Sequence, residues 1–226
     1  NNLFIKLYNN SNLIVTFSKR NQLFLSKKLE NKKVIHINNY FQKFSGKKKI
    51  KKIYNIFFVG SLSFIKDPEF FLRNTIQLLK IKRFKIHIIG EGPYKRRLLS
   101  LSNNYKKHVT FYNHVKNPFR RYSKRMDLLC ITSRFDGTPN VLGEAMSYKI
   151  PCLAPKGVGL CNELLRYGKY GYLYNPEDRK SFQRKILYAI ENYGLSIRKA
   201  NLGYRSLDRF NKKNTLQKLK FQIEKI

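Results

Sequence analysis

Apolar residues along this chain come in short runs, and the polar stretches between them carry a helical rhythm. Leu13-Ile14-Val15-Thr16-Phe17 and Val34-Ile35-His36-Ile37 read as strands on either side of a helix over 19–29. That strand–helix–strand unit is too small to be a domain. From Ile53 the pattern becomes regular: strand-length apolar runs at 53–59, 86–89, 109–112, 127–132, 151–154 and 172–174 alternate with helical stretches. Asp67-Pro68 and Asn117-Pro118 each predict a capping side chain before a first-turn proline. From Glu177 the chain reads as helices interrupted near Tyr193-Gly194. Strands alternating with helices predict an α/β fold, a Rossmann-like parallel sheet with both faces covered. The pattern also predicts the partition. Residues 1–40 form the small unit, 41–52 a polar linker around Ser45-Gly46 and the following lysines, 53–178 the sheet domain, and 179–226 the terminal helices.

Composition narrows this picture. A hydrophobic share of 42% with 14% aromatics is that of a globular chain. No apolar run approaches the ~20 residues of a membrane span. The chain opens on Asn1 rather than Met and shows no signal peptide, so it reads as a fragment. Its three cysteines are odd in number and without paired spacing. Cys130 and Cys152 sit in apolar runs as buried thiols would, which favours a reducing, cytoplasmic setting. The net charge of +34 would suit nucleic acid or the inner face of an anionic membrane. Yet the lysines run through the whole chain, beside many Asn, Ile, Phe and Tyr whose codons are also rich in A and T. Coding bias produces the same excess without a polyanion partner.

In a parallel sheet all strands end on one edge, and ligands bind there. The residues that follow the strands are Gly60-Ser61, Gly90-Glu91-Gly92-Pro93, Asn113-His114-Val115, 133–136 and 155–159. The most informative stretch runs from Ser133 through Asp136, Gly137, Thr138, Pro139, Asn140, Val141, Leu142 and Glu144 to Met146. It predicts a turn at Gly137 and a helix with Thr138 as cap and Pro139 in its first turn. The free N–H groups and positive end of such a helix seat a phosphate. Glu144 falls off the apolar face, where a carboxylate can accept bonds from two neighbouring ribose hydroxyls.

This stretch resembles the S-x-x-E-G-x-P-N-V-x-x-E-A-M segment of retaining glycosyltransferase family 4, which has the GT-B fold. Ile88-Ile89-Gly90-Glu91-Gly92-Pro93 is similar to that family's "IIGEGP" strand end, and 162–171 to its "NEIL-x-x-GKYG" segment. The turn from Val59-Gly60 to Lys66 resembles its first phosphate-binding loop. Phe17-Ser18 and 37–40 resemble the last unit of the preceding domain. The resemblance implies the carboxy-terminal, donor-binding domain with a remnant of the amino-terminal acceptor domain. It implies that Glu144 binds the ribose, that backbone amides of 137–142 seat diphosphate and sugar, that Asp136 faces the sugar hydroxyls and Lys66 the diphosphate, and that 90–93 with Val115 hold the base. Asp136 and Lys66 would carry the catalysis. Three positions depart from the family: Asp136 stands for its usual Glu, Ser61 for an arginine that forks onto the diphosphate, and Lys149 for a common glycine.

The implied reaction moves a sugar from a UDP- or GDP-sugar to a glycan or lipid-linked acceptor. The nucleotide-sugar serves as co-substrate, with no cofactor and no metal, since the chain has neither a D-x-D pair nor a His/Cys cluster at ligand spacing. As a fragment it would be inactive alone. A basic nucleic-acid-binding module and a non-catalytic nucleotide-sugar binder remain the rival readings. The first needs Lys/Arg clustered on one face with exposed aromatics.

Overall fold

The computed structural model describes residues 8, 10–29, 33–44 and 55–225, and these fall into two compact units. One holds residues 1–42 and 208–226, the other 43–207. The lysine-rich linker from Ser45 and the first two residues of the strand expected at 53–59 lie outside the described residues.

The smaller unit begins with β1 (Leu13–Thr16), α1 (Lys19–Lys28) and β2 (Lys33–His36). The two strands pair in parallel, Leu13 opposite Lys33. The Ser18 hydroxyl opens α1 by accepting from the Asn21 amide at 3.4 Å.

The larger unit contains β3 (Asn55–Val59), α2 (Pro68–Gln77), β4 (Lys85–Ile89), α3 (Lys95–Leu101), β5 (Val109–Tyr112), α4 (Pro118–Tyr122) and β6 (Leu128–Cys130). It continues with α5 (Asn140–Ser147), β7 (Cys152–Pro155), α6 (Cys161–Leu164), β8 (Tyr172–Tyr174), α7 (Arg179–Glu191) and α8 (Tyr193–Ser206). Its six strands are all parallel, in the order β5-β4-β3-β6-β7-β8. The expected α/β class and parallel sheet are therefore observed. Central strands bury both faces: Ile56, Phe57, Leu128 and Leu129 are without exposure. The last helix, α9 (Lys212–Ile223), belongs to the smaller unit. There Lys218 Nζ donates to the His36 carbonyl at 2.9 Å. The helices after residue 179 are thus shared between the two units.

Two local expectations are corrected. Asp67 caps α2 through its carboxylate, accepting from Phe70 N at 3.0 Å, but Asn117 makes no side-chain cap on α4. Asn117 stands at φ 57° and engages the helix through its carbonyl, which accepts from Arg121 N at 3.3 Å. The helix expected from Thr138-Pro139 begins at Asn140, with Pro139 as its cap. Pro139 has ψ 87°, outside the helical range, and its carbonyl accepts from Leu142 N at 2.9 Å. As expected, Cys130 and Cys152 are buried and not in disulfides, and Cys161 is a third such thiol.

Candidate functional site

The strand order reverses direction between β3 and β6: the chain winds outward through β4 and β5 on one side, and through β7 and β8 on the other. The loops after β3 and β6 therefore diverge and leave a crevice between them, where doubly wound sheets bind ligands. A cavity of about 350 Å³ occupies that place, lined by Gly60, Ser61, Lys66, Asp136, Thr138, Pro139, Asn140 and Val141 among others. Residues 70 positions apart meet in it: Lys66 Nζ lies 2.5 Å from Asp136 Oδ2, their side chains 31% and 11% exposed. The two charges satisfy each other while both still face the cavity.

Neighbouring groups hold this pair in place. The Thr132 hydroxyl donates to the carbonyls of Lys66 and Asp67, each at 3.0 Å. Arg134 N donates to the Ile65 carbonyl at 2.8 Å, and the Arg134 guanidinium bridges Asp67 at 2.7 Å. Residues 65–67 of one loop are thereby fastened to 132–134 at the base of the other, which fixes the backbone on both sides of Lys66. Thr132 and Arg134 lie in stretches that the sequence picks out, but it gives neither a role of its own. Their signal was position alone, a hydroxyl at a strand end and a base next to it.

Glycines let four loops crowd together in two pairs. A Cβ on Gly90 would stand 1.9 Å from the Gly60 carbonyl oxygen, and Gly60 N donates to Ile89 O at 3.1 Å. Gly159, at φ 50°, presses its α-carbon against the Asp136 and Gly137 carbonyls, where a Cβ would come within 2.5 Å. Around Gly137 itself there is open space, with nothing within 4 Å of a built Cβ. The turn at Gly137, just before α5, therefore leaves room for a ligand beside it.

The remaining expected residues are placed differently. Glu91 is exposed and bound by Lys95, whose ammonium lies 2.8 Å from both Glu91 Oε1 and Asn113 Oδ1. Gly90, Gly92, exposed Pro93 and half-buried Val115 stand on neighbouring strand ends and are not among the cavity's lining residues. Leu142 is fully buried and its amide is engaged by Pro139. Glu144 is exposed on α5, yet the surrounding protein withholds enough solvent to raise its carboxyl above the usual glutamate range. Among the described residues no three His, Cys, Asp or Glu side chains converge as a metal-ligand set.

A parallel sheet in this order, with a charged pair and a helix start at its switch point, defines a doubly wound α/β domain with its ligand crevice between β3 and β6. The family model for glycosyl transferases group 1 matches residues 53–192, more than half of the chain, and the protein belongs to that family. An uncharacterized glycosyltransferase of Methanocaldococcus jannaschii is 28% identical over 204 residues, covering 76% of this chain and 50% of that protein. The chain thus spans about half the length of this curated relative. S. aureus TarM, crystallised as a mutant with fondaparinux, an α-GlcNAc-glycerol and UDP, superposes with a TM-score of 0.87 at 18% identity, over 96% of this chain and 45% of TarM. Anabaena HepE in complex with UDP and glucose superposes at 0.83 and 18% identity, over 100% of this chain and 66% of HepE. These likenesses confirm the GT-B glycosyltransferase fold.

Proposed function

We propose that this chain is the donor-binding half of a retaining glycosyltransferase of family 4, taking a UDP- or GDP-sugar and serving a glycan or lipid-linked acceptor. The observation that carries this reading is the Lys66–Asp136 pair in one cavity with the start of α5. Departure of a nucleoside diphosphate builds negative charge on the phosphates and positive charge on the sugar ring. Lys66 and the backbone of the turn at Gly137, before α5, stabilise the first, and Asp136 stabilises the second and holds the sugar hydroxyls. Each charge keeps the other in position at the cavity wall, so little reorganisation is needed to meet a donor. Glu144 takes the ribose hydroxyls, and residues 90–93 with Val115 hold the base. The acceptor is held by the amino-terminal domain, of which residues 1–40 are the last part. The setting is the cytoplasm, with basic surface available for peripheral contact with an anionic membrane.

The reading needs no metal, because Lys66 and the helix start supply the positive charge that the leaving diphosphate requires. Calorimetry with UDP, GDP and their sugars in EDTA tests it. Binding of one of them is expected, and Lys66→Met should weaken it. No binding by any, or binding only after Mg²⁺ or Mn²⁺ is added, contradicts the proposal. Ser61 supports a second reading, a nucleotide-sugar binder without turnover. It lines the cavity where the family carries arginine, and its hydroxyl lies 3.0 Å from that of Ser63. Acceptor-dependent release of nucleoside diphosphate by a chain that includes the amino-terminal domain separates the two.

A further inference from the structure

On the other side of the loop that carries Lys66, the larger unit has a second and wider depression. A groove of about 610 Å³ runs along α2, floored by Phe70 and rimmed by Arg73, Arg97, Arg134 and Arg179. It shares no lining residue with the donor cavity: Lys66 faces one and Asp67 the other. Two carboxylates lie at its base, Asp67 and Glu69, with side chains 11% and 16% exposed. Glu69 Oε1 takes the Arg73 guanidinium at 2.7 Å, and its Oε2 takes that of Arg97 at 2.6 Å. Asp67 takes Arg134 at 2.7 Å, and that guanidinium also lies 4.5 Å over the Phe64 ring.

The arrangement is layered. Inner acids fix the forks, and the forks stand 48–59% exposed above them. A guanidinium has five N–H donors, and each of these uses only part of its set on the acids. Arg179, at the start of α7, adds a fourth guanidinium with no ion pair among the described residues. Four guanidiniums against two carboxylates leave the lining at a net of two positive charges. Held arginines with spare donors are the groups that recognise phosphate oxygens in pairs.

We propose that this groove is a second anion site, distinct from the donor cavity, that takes a phosphate or diphosphate group. Because the whole chain is basic, the test must separate the groove from general attraction. Calorimetric titration with inorganic pyrophosphate, at about 0.15 M salt, is done on Lys66→Met protein, in which the donor cavity has lost its cation. Saturable binding is expected. Arg97→Gln with Arg179→Gln should weaken it about fivefold or more, as loss of two charge-assisted contacts implies. The charge-matched control, Lys106→Gln with Lys124→Gln, changes exposed lysines outside the groove and should alter affinity by less than about twofold. Circular dichroism confirms that each variant is folded. Absence of saturable binding in Lys66→Met protein, or an equal loss in the control, overturns the proposal, whatever the outcome with UDP. Sedimentation with phosphatidylglycerol vesicles, against phosphatidylcholine, then assigns the source. Capture that depends on the two arginines marks a lipid headgroup, and pyrophosphate binding without such capture marks a soluble phosphate.

Discussion

Glu144 shows how one side chain's surroundings set its behaviour. Desolvation raises its pKa, so the proton is lost at a higher pH than from an ordinary glutamate. In the proposed role the ionised form, with two charged acceptor oxygens, holds a pair of ribose hydroxyls more strongly than the protonated form. Nucleotide affinity should therefore fall on acidification, beginning above the pH at which a normal glutamate titrates. Glu144→Ala should weaken nucleotide binding by roughly 1.5–3 kcal/mol, about tenfold or more. The stability effect has the opposite sign. A raised pKa means that the folded state binds the proton more tightly than the unfolded state, so ionisation opposes folding as pH rises through that window. Glu144→Gln should accordingly leave the melting temperature at pH 7 unchanged or raised while affinity drops. A folded variant with undiminished affinity would make Glu144 an ordinary surface residue. The pairing of Lys66 with Asp136 could not be read from the sequence, since the residues are 70 apart and only the sheet's winding joins them. What the sequence did display was each residue's place after a strand.

Among the elements, the end of α5 explains a substitution that the sequence alone left unaccounted for. Lys149 stands at φ 57°, in the left-handed region. Its amide donates to Met146 O at 3.0 Å, and the next amide, of Ile150, donates back to Ala145 O at 3.0 Å. This is a Schellman ending, and its left-handed position is the one that favours glycine, the residue common in the family. Lys149 recovers part of the cost by laying its ammonium 4.5 Å over the Tyr204 ring. Lys149→Gly should stabilise the protein by about 0.5–1 kcal/mol, a rise of roughly 1–4 °C in Tm. A lower Tm would show that the cation–ring contact outweighs the strain. The strands over 109–112 and 172–174 were legible to the residue, because each is a short apolar run ended by turn residues. Their order in the sheet was not, because pairing between distant strands leaves no local mark.

The central strands also bury an imidazole, that of His87. His87 on β4 stacks on Phe57 at 4.3 Å, takes the Asn55 side-chain oxygen through Nε2 at 2.9 Å, and accepts from the Tyr112 hydroxyl at 3.2 Å. Burial, with Arg125 nearby, lowers its pKa to about 4, against the opposing pull of Asp127. A depressed histidine binds fewer protons folded than unfolded, so stability falls as pH drops from 6.5 toward 4. Urea unfolding should lose about 2 kcal/mol between pH 7 and pH 5. His87→Phe should show a slope shallower by that amount. Equal slopes in both proteins would contradict the buried, neutral imidazole.

At the scale of the whole molecule, a net charge of +34 ensures some attraction to any polyanion. Binding that rests on phosphate contacts alone falls steeply with salt. Nucleotide held in the switch-point cavity should behave differently, because its contacts are few, directed and partly sheltered. The central claim is that a nucleoside diphosphate enters that cavity. Amide chemical-shift mapping of the labelled protein with UDP or GDP, at about 0.15 M salt, tests this most directly. The largest shifts are expected on Gly60, Ser61, Lys66, Asp136, Gly137, Asn140 and Val141, saturating together. Shifts scattered over the lysine-rich surface, or none at the start of α5, would contradict it.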